Sequence, residues 1–426
     1  MYPFFCLNEK KVWCKNMHFF QWFQGKRRKL FVVMSLGLVC FAWGSLMQLI
    51  PDQIRVSDPD HVTVGEHLPV SCDWKAEQEV FAGQGEQTLQ MTCRFLGIIP
   101  VKKVTVQVVD EKEVVAVGDS VGILLNTSGV YVASVAQIKD LYGRKQEPAA
   151  HIVKEGDYIR AVNGEPVKTK EELLHAVSES QGKELVLTLL RAGETLNCKV
   201  QPVQTGKDEY RIGLWIKDDL AGVGTITYID RAGNFGALGH GISSSETKEL
   251  LSLDRGKLYQ SRIAAINKGQ KGTPGELVGM IYYTDDNYYG EILANTQEGI
   301  FGKLTKISEE AAGMKPIAIG YKQEIQAGPA EIYCNVDGEI RSYDIEIEEV
   351  KMNSRNKNKS MLIRVTDPVL LQKTGGIVQG MSGSPIIQNG KIVGAVTHVL
   401  VNDPTRGYGI FIENMLDAAE EMKQQG

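Results

Sequence analysis

Gly380-Met381-Ser382-Gly383, running into Ser384-Pro385-Ile386-Ile387, reads as a serine on a glycine loop that opens into a strand. Glycine neighbours let a tight loop turn its amides outward, and two aligned amides are what a tetrahedral oxyanion needs. Ser382 is therefore a candidate nucleophile, and the amides of Gly380 and Ser382 are a candidate oxyanion hole. A glycine-rich hairpin without chemistry is the competing reading of the same residues.

A serine nucleophile needs a base. Gly236-Ala237-Leu238-Gly239-His240-Gly241-Ile242 supplies a histidine in an equally glycine-punctuated setting, after the alternating apolar stretch 224–230. That pattern predicts a strand opening into a loop at His240, where active-site groups are commonly held. A third group should accept a hydrogen bond from the other imidazole nitrogen and fix the tautomer. Asp367 is the first candidate, at the end of the strand-like 361–366 and just before Pro368; a simple turn former is its alternative reading. Asp285 and Asp286, in a loop after the apolar stretch 279–283, are rivals. Downstream, 391–400 forms a continuous apolar run containing Thr397, either a hydroxyl that supports a buried aspartate or an ordinary strand threonine.

Farther upstream, period-two patterning begins at 101–109. It continues through Gly122-Ile123-Leu124-Leu125-Asn126-Thr127-Ser128-Gly129 into 130–135, then the turns Gly156-Asp157-Tyr158-Ile159 and Asn163-Gly164-Glu165-Pro166-Val167, a helix over 169–179 and a strand over 184–190. This order is similar to a bacterial PDZ domain, placed at 101–203. The resemblance implies a groove between strand 130–135 and the helix in which an extended peptide adds to an open sheet edge. The loop Thr127-Ser128-Gly129 would offer amides to its terminal carboxylate. The peptide would come from another protein or from this chain itself. Leu173, Leu174 and Val177 lie on one helical face and read first as core.

The stretch 30–50 is almost uninterrupted apolar sequence, long enough at about 1.5 Å per residue to cross a hydrocarbon core. Lys26-Arg27-Arg28-Lys29 precedes it, so the expectation is a retained transmembrane helix with residues 1–29 cytoplasmic and everything after Pro51 on the far side. A cleaved signal peptide is the competing reading. Residues 1–25 show no interpretable pattern, and Met17 is another possible start. Residues 51–100 read as a polar lead segment. The net charge of −5, with no basic stripe, argues against nucleic-acid binding. Seven cysteines show no metal-ligand spacing; Cys72 and Cys93 are candidates for a disulfide, with buried or unpaired thiols as the alternative. No cofactor or metal is expected.

Beyond residue 203 many short strands with Gly and Asn turns fit a barrel-type all-β domain, 204–426. Within it, 342–350 and 361–366 read as a hairpin around a basic, solvated tip at 354–359, and 412–422 as a capping helix with Met415, Leu416 and Ala419 inward.

Taken together, the chain resembles the SpoIVB peptidase family, the stage IV sporulation protein B serine proteases of endospore-forming bacteria. The resemblance rests on the order of membrane segment, PDZ-like module, Gly-Ala-Leu-Gly-His240-Gly and Gly380-Met-Ser-Gly-Ser-Pro-Ile-Ile, and covers nearly the whole chain. It implies a mainly β protein with a chymotrypsin-like double β-barrel, His240 as base, Asp367 as its partner, Ser382 as nucleophile and Thr397 in support. It also implies a forespore protease in the space between the two membranes. There it would cleave the regulatory subunit of an intramembrane protease complex, releasing a late sigma factor, and would cleave itself near the lead segment. Two alternatives stand beside this. One is a catalytically inactive PDZ adaptor or envelope anchor. The other is a high-temperature-requirement protease, whose PDZ modules follow the catalytic domain rather than precede it.

Overall fold

The structure, a computed structural model, describes residues 34, 35, 37, 38, 40–47, 50–56, 70–73, 80, 81 and 87–425. It divides into two compact units, Met1–Val109 and Asp110–Gly426. No helix among the described residues is long and apolar enough to cross a membrane. The expected span at 30–50 lies partly, and the cytoplasmic segment 1–29 wholly, outside the described residues.

The stretch read as a lead segment forms a sheet of its own. Strand Ile99–Val108 pairs antiparallel with Gln87–Phe95 and parallel with Gln53–Val56. Its alternating valines, Val104 and Val106, are fully buried beside Ile54, Val56 and Met91. The strand expected to open the PDZ module thus belongs to the first unit instead, because its apolar face is satisfied there. Cys72 and Cys93 stand directly opposite each other on neighbouring strands of this sheet.

The second unit contains two six-stranded barrels. Strands β1 (Ser120–Val135), β2 (Leu214–Ile229), β3 (Asn234–Ala237), β4 (Leu253–Asn267), β5 (Tyr288–Thr296) and β6 (Gly299–Leu304) pair in the ring β1-β4-β5-β6-β3-β2, closed by β2 on β1. Ile123, Leu125, Ile226, Phe235, Leu258 and Ile292 fill it. The second barrel consists of β7 (Gly328–Asn335), β8 (Ile340–Val350), β9 (Met361–Val365), β10 (Pro385–Gln388), β11 (Lys391–Leu400) and β12 (Asp403–Phe411), closed in the order β7-β8-β9-β12-β11-β10. Closure leaves neither ring with a free edge.

Each of β1 and β2 is 16 residues long and serves two bodies. The first half of β1 and the second half of β2 are barrel staves. Their remaining halves, Gly129–Val135 and Leu214–Lys217, enter a PDZ sheet completed by Tyr158–Val162, Leu185–Arg191 and Glu194–Val200. The PDZ module is therefore inserted between two staves of the first barrel. Boundaries at 101–203 and 204–426 do not describe this arrangement, since the barrel already needs residues 120–125. Helix α1 (Lys170–Glu179) starts on a capping box formed by Thr169 and Glu172. It buries Leu173 and Val177 in the PDZ core, whereas Leu174 faces solvent.

Candidate active site

The loop before β10 takes its shape from glycine. Gly383 has φ +100, and a Cβ there would lie 2.1 Å from the Thr225 carbonyl oxygen of β2, so no side chain fits. This close approach lets the first barrel stitch the loop in place. Thr225 N–H donates to Ser382 O at 3.1 Å, and the Thr225 and Thr227 hydroxyls donate to Gly380 O and Gly383 O, both at 2.8 Å. A trans peptide points its C=O and N–H in opposite directions. Gln379 O accepts from Leu277 N–H at 2.8 Å and Met381 O from Ser384 N–H at 3.0 Å. The amides of Gly380 and Ser382 therefore point away from those partners, and among the described residues neither finds an acceptor. They are the two amides expected to cradle an oxyanion.

His240 follows β3 through two left-handed residues, Leu238 (φ 69) and Gly239 (φ 68). Gly239 lies against the second barrel, where an added Cβ would be 3.1 Å from Cγ2 of Thr397. The imidazole Nδ1 is 2.9 Å from the carbonyl oxygen of Gly241. A carbonyl only accepts, so Nδ1 carries the proton and Nε2 keeps its lone pair. Burial pushes the His240 pKa below its ordinary value, opposed by that hydrogen bond. The next residues are pinned to the β5–β6 turn: Gly241 N–H donates to Gln297 O at 3.2 Å and Ile242 N–H to Asn295 Oδ1 at 2.8 Å.

A cavity of about 520 Å³ between the barrels is lined by both His240 and Ser382, along with Thr397, His398 and apolar groups of β1 and β2. Residues 240 and 382, far apart in sequence, thus share one cleft. No hydrogen bond joins them among the described residues; the Ser382 hydroxyl donates instead to the Thr397 carbonyl at 2.8 Å. A turn about the Ser382 side-chain bond releases it, and apo sites often hold such contacts open.

Asp367 has a different job. Its Oδ1 accepts from Leu370 N–H at 2.8 Å, making it the N-cap of α2 (Pro368–Thr374), with Pro368 in the first turn. His240 Nδ1 is held by a main-chain carbonyl and not by this carboxylate. The Asp-Pro pair is a helix start, and the structure places Asp367 at that cap, with no hydrogen bond to His240 among the described residues. Asp285 and Asp286 are exposed in a short 3₁₀ turn and make no contact with His240. Thr397 is buried, but its hydroxyl donates to Asn358 O at 2.6 Å, with Tyr408 O as a second acceptor 3.1 Å away, rather than to an aspartate. The first of these bonds ties down the basic loop at 354–359, which is accordingly more than a solvated tip.

The PDZ strand 130–135 is placed in the interior of its sheet. Strand 130–135 has no open edge, because Tyr158 and Ile159 pair on one side and Leu214–Lys217 on the other. In the loop Thr127-Ser128-Gly129, Ser128 N–H donates to Ser252 O at 3.2 Å and the Thr127 hydroxyl donates to Gly129 O at 2.7 Å, so the Ser128 amide is already engaged within the fold. Leu214–Lys217 lies between 130–135 and α1. Its far side carries no strand among the described residues, and α1 stands beside it through the bond from Lys170 N–H to Asp218 Oδ2 at 2.8 Å. Sequence reasoning reads a strand at 213–216 but misses its place beside α1, and it misses Asn295 and His398. For His398, the continuous apolar run of β11 carried no alternation that would have singled the residue out.

Residues 208–416 match the SpoIVB peptidase S55 family and residues 104–201 match the PDZ domain. The PDZ domain of an SdrC-like protein from Listeria monocytogenes is similar at 22% identity over 21% of this chain and 90% of that one, with a TM-score of 0.18. The active form of Rv3671c protease from M. tuberculosis is similar at 12% identity over 48% of this chain and 75% of that one, with a TM-score of 0.28. The HtrA-type protease AlgW with decapeptide is similar at 10% identity over 49% and 54%, with a TM-score of 0.30. These three likenesses are local.

Proposed function

Because the chain is a PDZ-containing serine endopeptidase with a catalytic segment in the SpoIVB peptidase S55 family, we propose that it is a membrane-anchored signalling protease of sporulation. Ser382 attacks the scissile carbonyl and passes its proton to Nε2 of His240. The amides of Gly380 and Ser382 hold the oxyanion, and the imidazolium then protonates the leaving amine. Gly241 O keeps the base in the required tautomer, the orienting part of what a triad acid does. The observation that carries this reading is that a tautomer-fixed imidazole and a serine beneath two unpartnered amides line one cleft.

In this reading the N-terminal apolar run anchors the chain in the forespore membrane, with the catalytic part in the intermembrane space. Its substrate is the regulatory subunit of an intramembrane protease complex, whose cleavage frees a late sigma factor, and it also cleaves itself near 51–100. The strand Leu214–Lys217 and α1 receive an extended peptide, from a partner or from the chain itself. The family name and the domain content support these roles. The test is to treat the region after residue 50 with a fluorophosphonate and map the adduct. Labelling at Ser382, abolished together with peptide cleavage in Ser382→Ala, is expected. An unlabelled, inert protein that still binds peptide would establish the adaptor instead.

A further inference from the structure

We propose that Cys72 and Cys93 form a redox site, a dithiol that closes to a disulfide by exchange with a small-molecule disulfide and so staples the edge of the first unit's sheet. In that sheet Val70–Asp73 is an edge strand of four residues, paired among the described residues only with Gln87–Phe95. Ile99–Val108 lies on the other side of Gln87–Phe95. Cys72 is directly opposite Cys93 in one ladder, and Lys102 is directly opposite Cys93 in the other, so the three side chains share one face of the sheet. Directly opposite residues of an antiparallel ladder have Cα atoms about 4.5 or 5.5 Å apart, inside the range of about 4.4–6.8 Å that a disulfide accepts. Both residues carry thiols, and the Cys72 S–H donates to the Cys93 sulfur.

Unequal access sets the order of the steps. Cys93 is fully buried in the core of the sheet, whereas Cys72 is only partly so. The Cys72 thiolate therefore attacks the incoming disulfide, forming a mixed disulfide and releasing one small thiol. The Cys93 thiolate then attacks the Cys72 sulfur and releases the second. Two protein thiols are oxidised to one disulfide, the small disulfide is reduced to two thiols, and the two protein protons end on those departing sulfurs. The hydrogen bond from Cys72 pulls the Cys93 pKa below its ordinary value, burial opposes it, and the Lys102 ammonium adds to the lowering. Lys102 is held in place by Ile50 O at 2.7 Å and Asp52 Oδ1 at 2.8 Å, so it still favours the Cys93 thiolate once Cys72 has reacted.

The test uses the full chain carrying Ser382→Ala, so that peptidase activity does not intervene. Oxidised glutathione should yield, by peptide mass spectrometry, a cross-link between Cys72 and Cys93 that dithiothreitol undoes. Hydrogen exchange over 70–73 should be slower in the bridged form by about tenfold or more. Adding Cys93→Ser should halt the reaction at glutathione on Cys72, and adding Cys72→Ser should leave Cys93 unmodified in the folded chain. Glutathione that stays on Cys72 while Cys93 keeps its thiol would overturn the site, as would modification of Cys93 in the Cys72→Ser chain. Equal exchange over 70–73 in the bridged and open forms would overturn the staple.

Discussion

One main-chain carbonyl, that of Gly241, determines which imidazole nitrogen of His240 can take a proton. No carboxylate shares that bond, and burial lowers the ring's pKa, so His240 stays neutral to a lower pH than a free imidazole of about 6.5. A general base works in its neutral form. The acid limb of kcat/KM should therefore fall below pH 6.5, with activity retained at pH 6.5 and above; a limb centred above 7 would contradict the assignment. Asp367 makes the complementary case. As the cap of α2, its change to Ala should cost about 1 kcal/mol in urea unfolding, and Asp367→Asn, which keeps an acceptor, should cost less. Loss of activity in Asp367→Ala should track that destabilisation and recover in Asp367→Asn.

Among the elements, the nucleophile loop is tightly constrained. Gly383 combines a left-handed backbone with a 2.1 Å approach to the Thr225 carbonyl, so Gly383→Ala should destabilise by about 3 kcal/mol or more and abolish fluorophosphonate labelling. Both are readable from one denaturation and labelling experiment. The hairpin of β8 and β9 forms as its alternation predicts, and Ile412–Gln425 is the expected terminal helix, with Met415, Leu416 and Ala418 buried and Ala419 only partly so. Such elements are legible because burial follows a period of 2 or 3.6 along the chain itself.

At the scale of the molecule, the two long strands make the PDZ module an insertion. Asn126 faces Asp219 across the β1–β2 ladder, so replacing 127–218 with a two-residue turn should keep the first barrel's register. That shortened chain should unfold cooperatively and still take up the fluorophosphonate. Deleting 101–203 instead removes all of β1, one of six staves, and should yield no cooperative transition. If both deletions behave alike, the insertion topology is wrong.

The sequence by itself determined the serine on its glycine loop, the glycine-flanked histidine, the PDZ-like series of turns and the mainly β character. Each is written in contiguous residues, through local backbone freedom and alternating burial. Only the tertiary structure decided that Asp367 caps a helix, that strand 130–135 has no free edge, that residues 101–108 serve another sheet and that His398 meets His240. Those outcomes depend on which strands become neighbours, and closing a barrel pairs segments more than a hundred residues apart whose hydrogen bonds leave no local pattern.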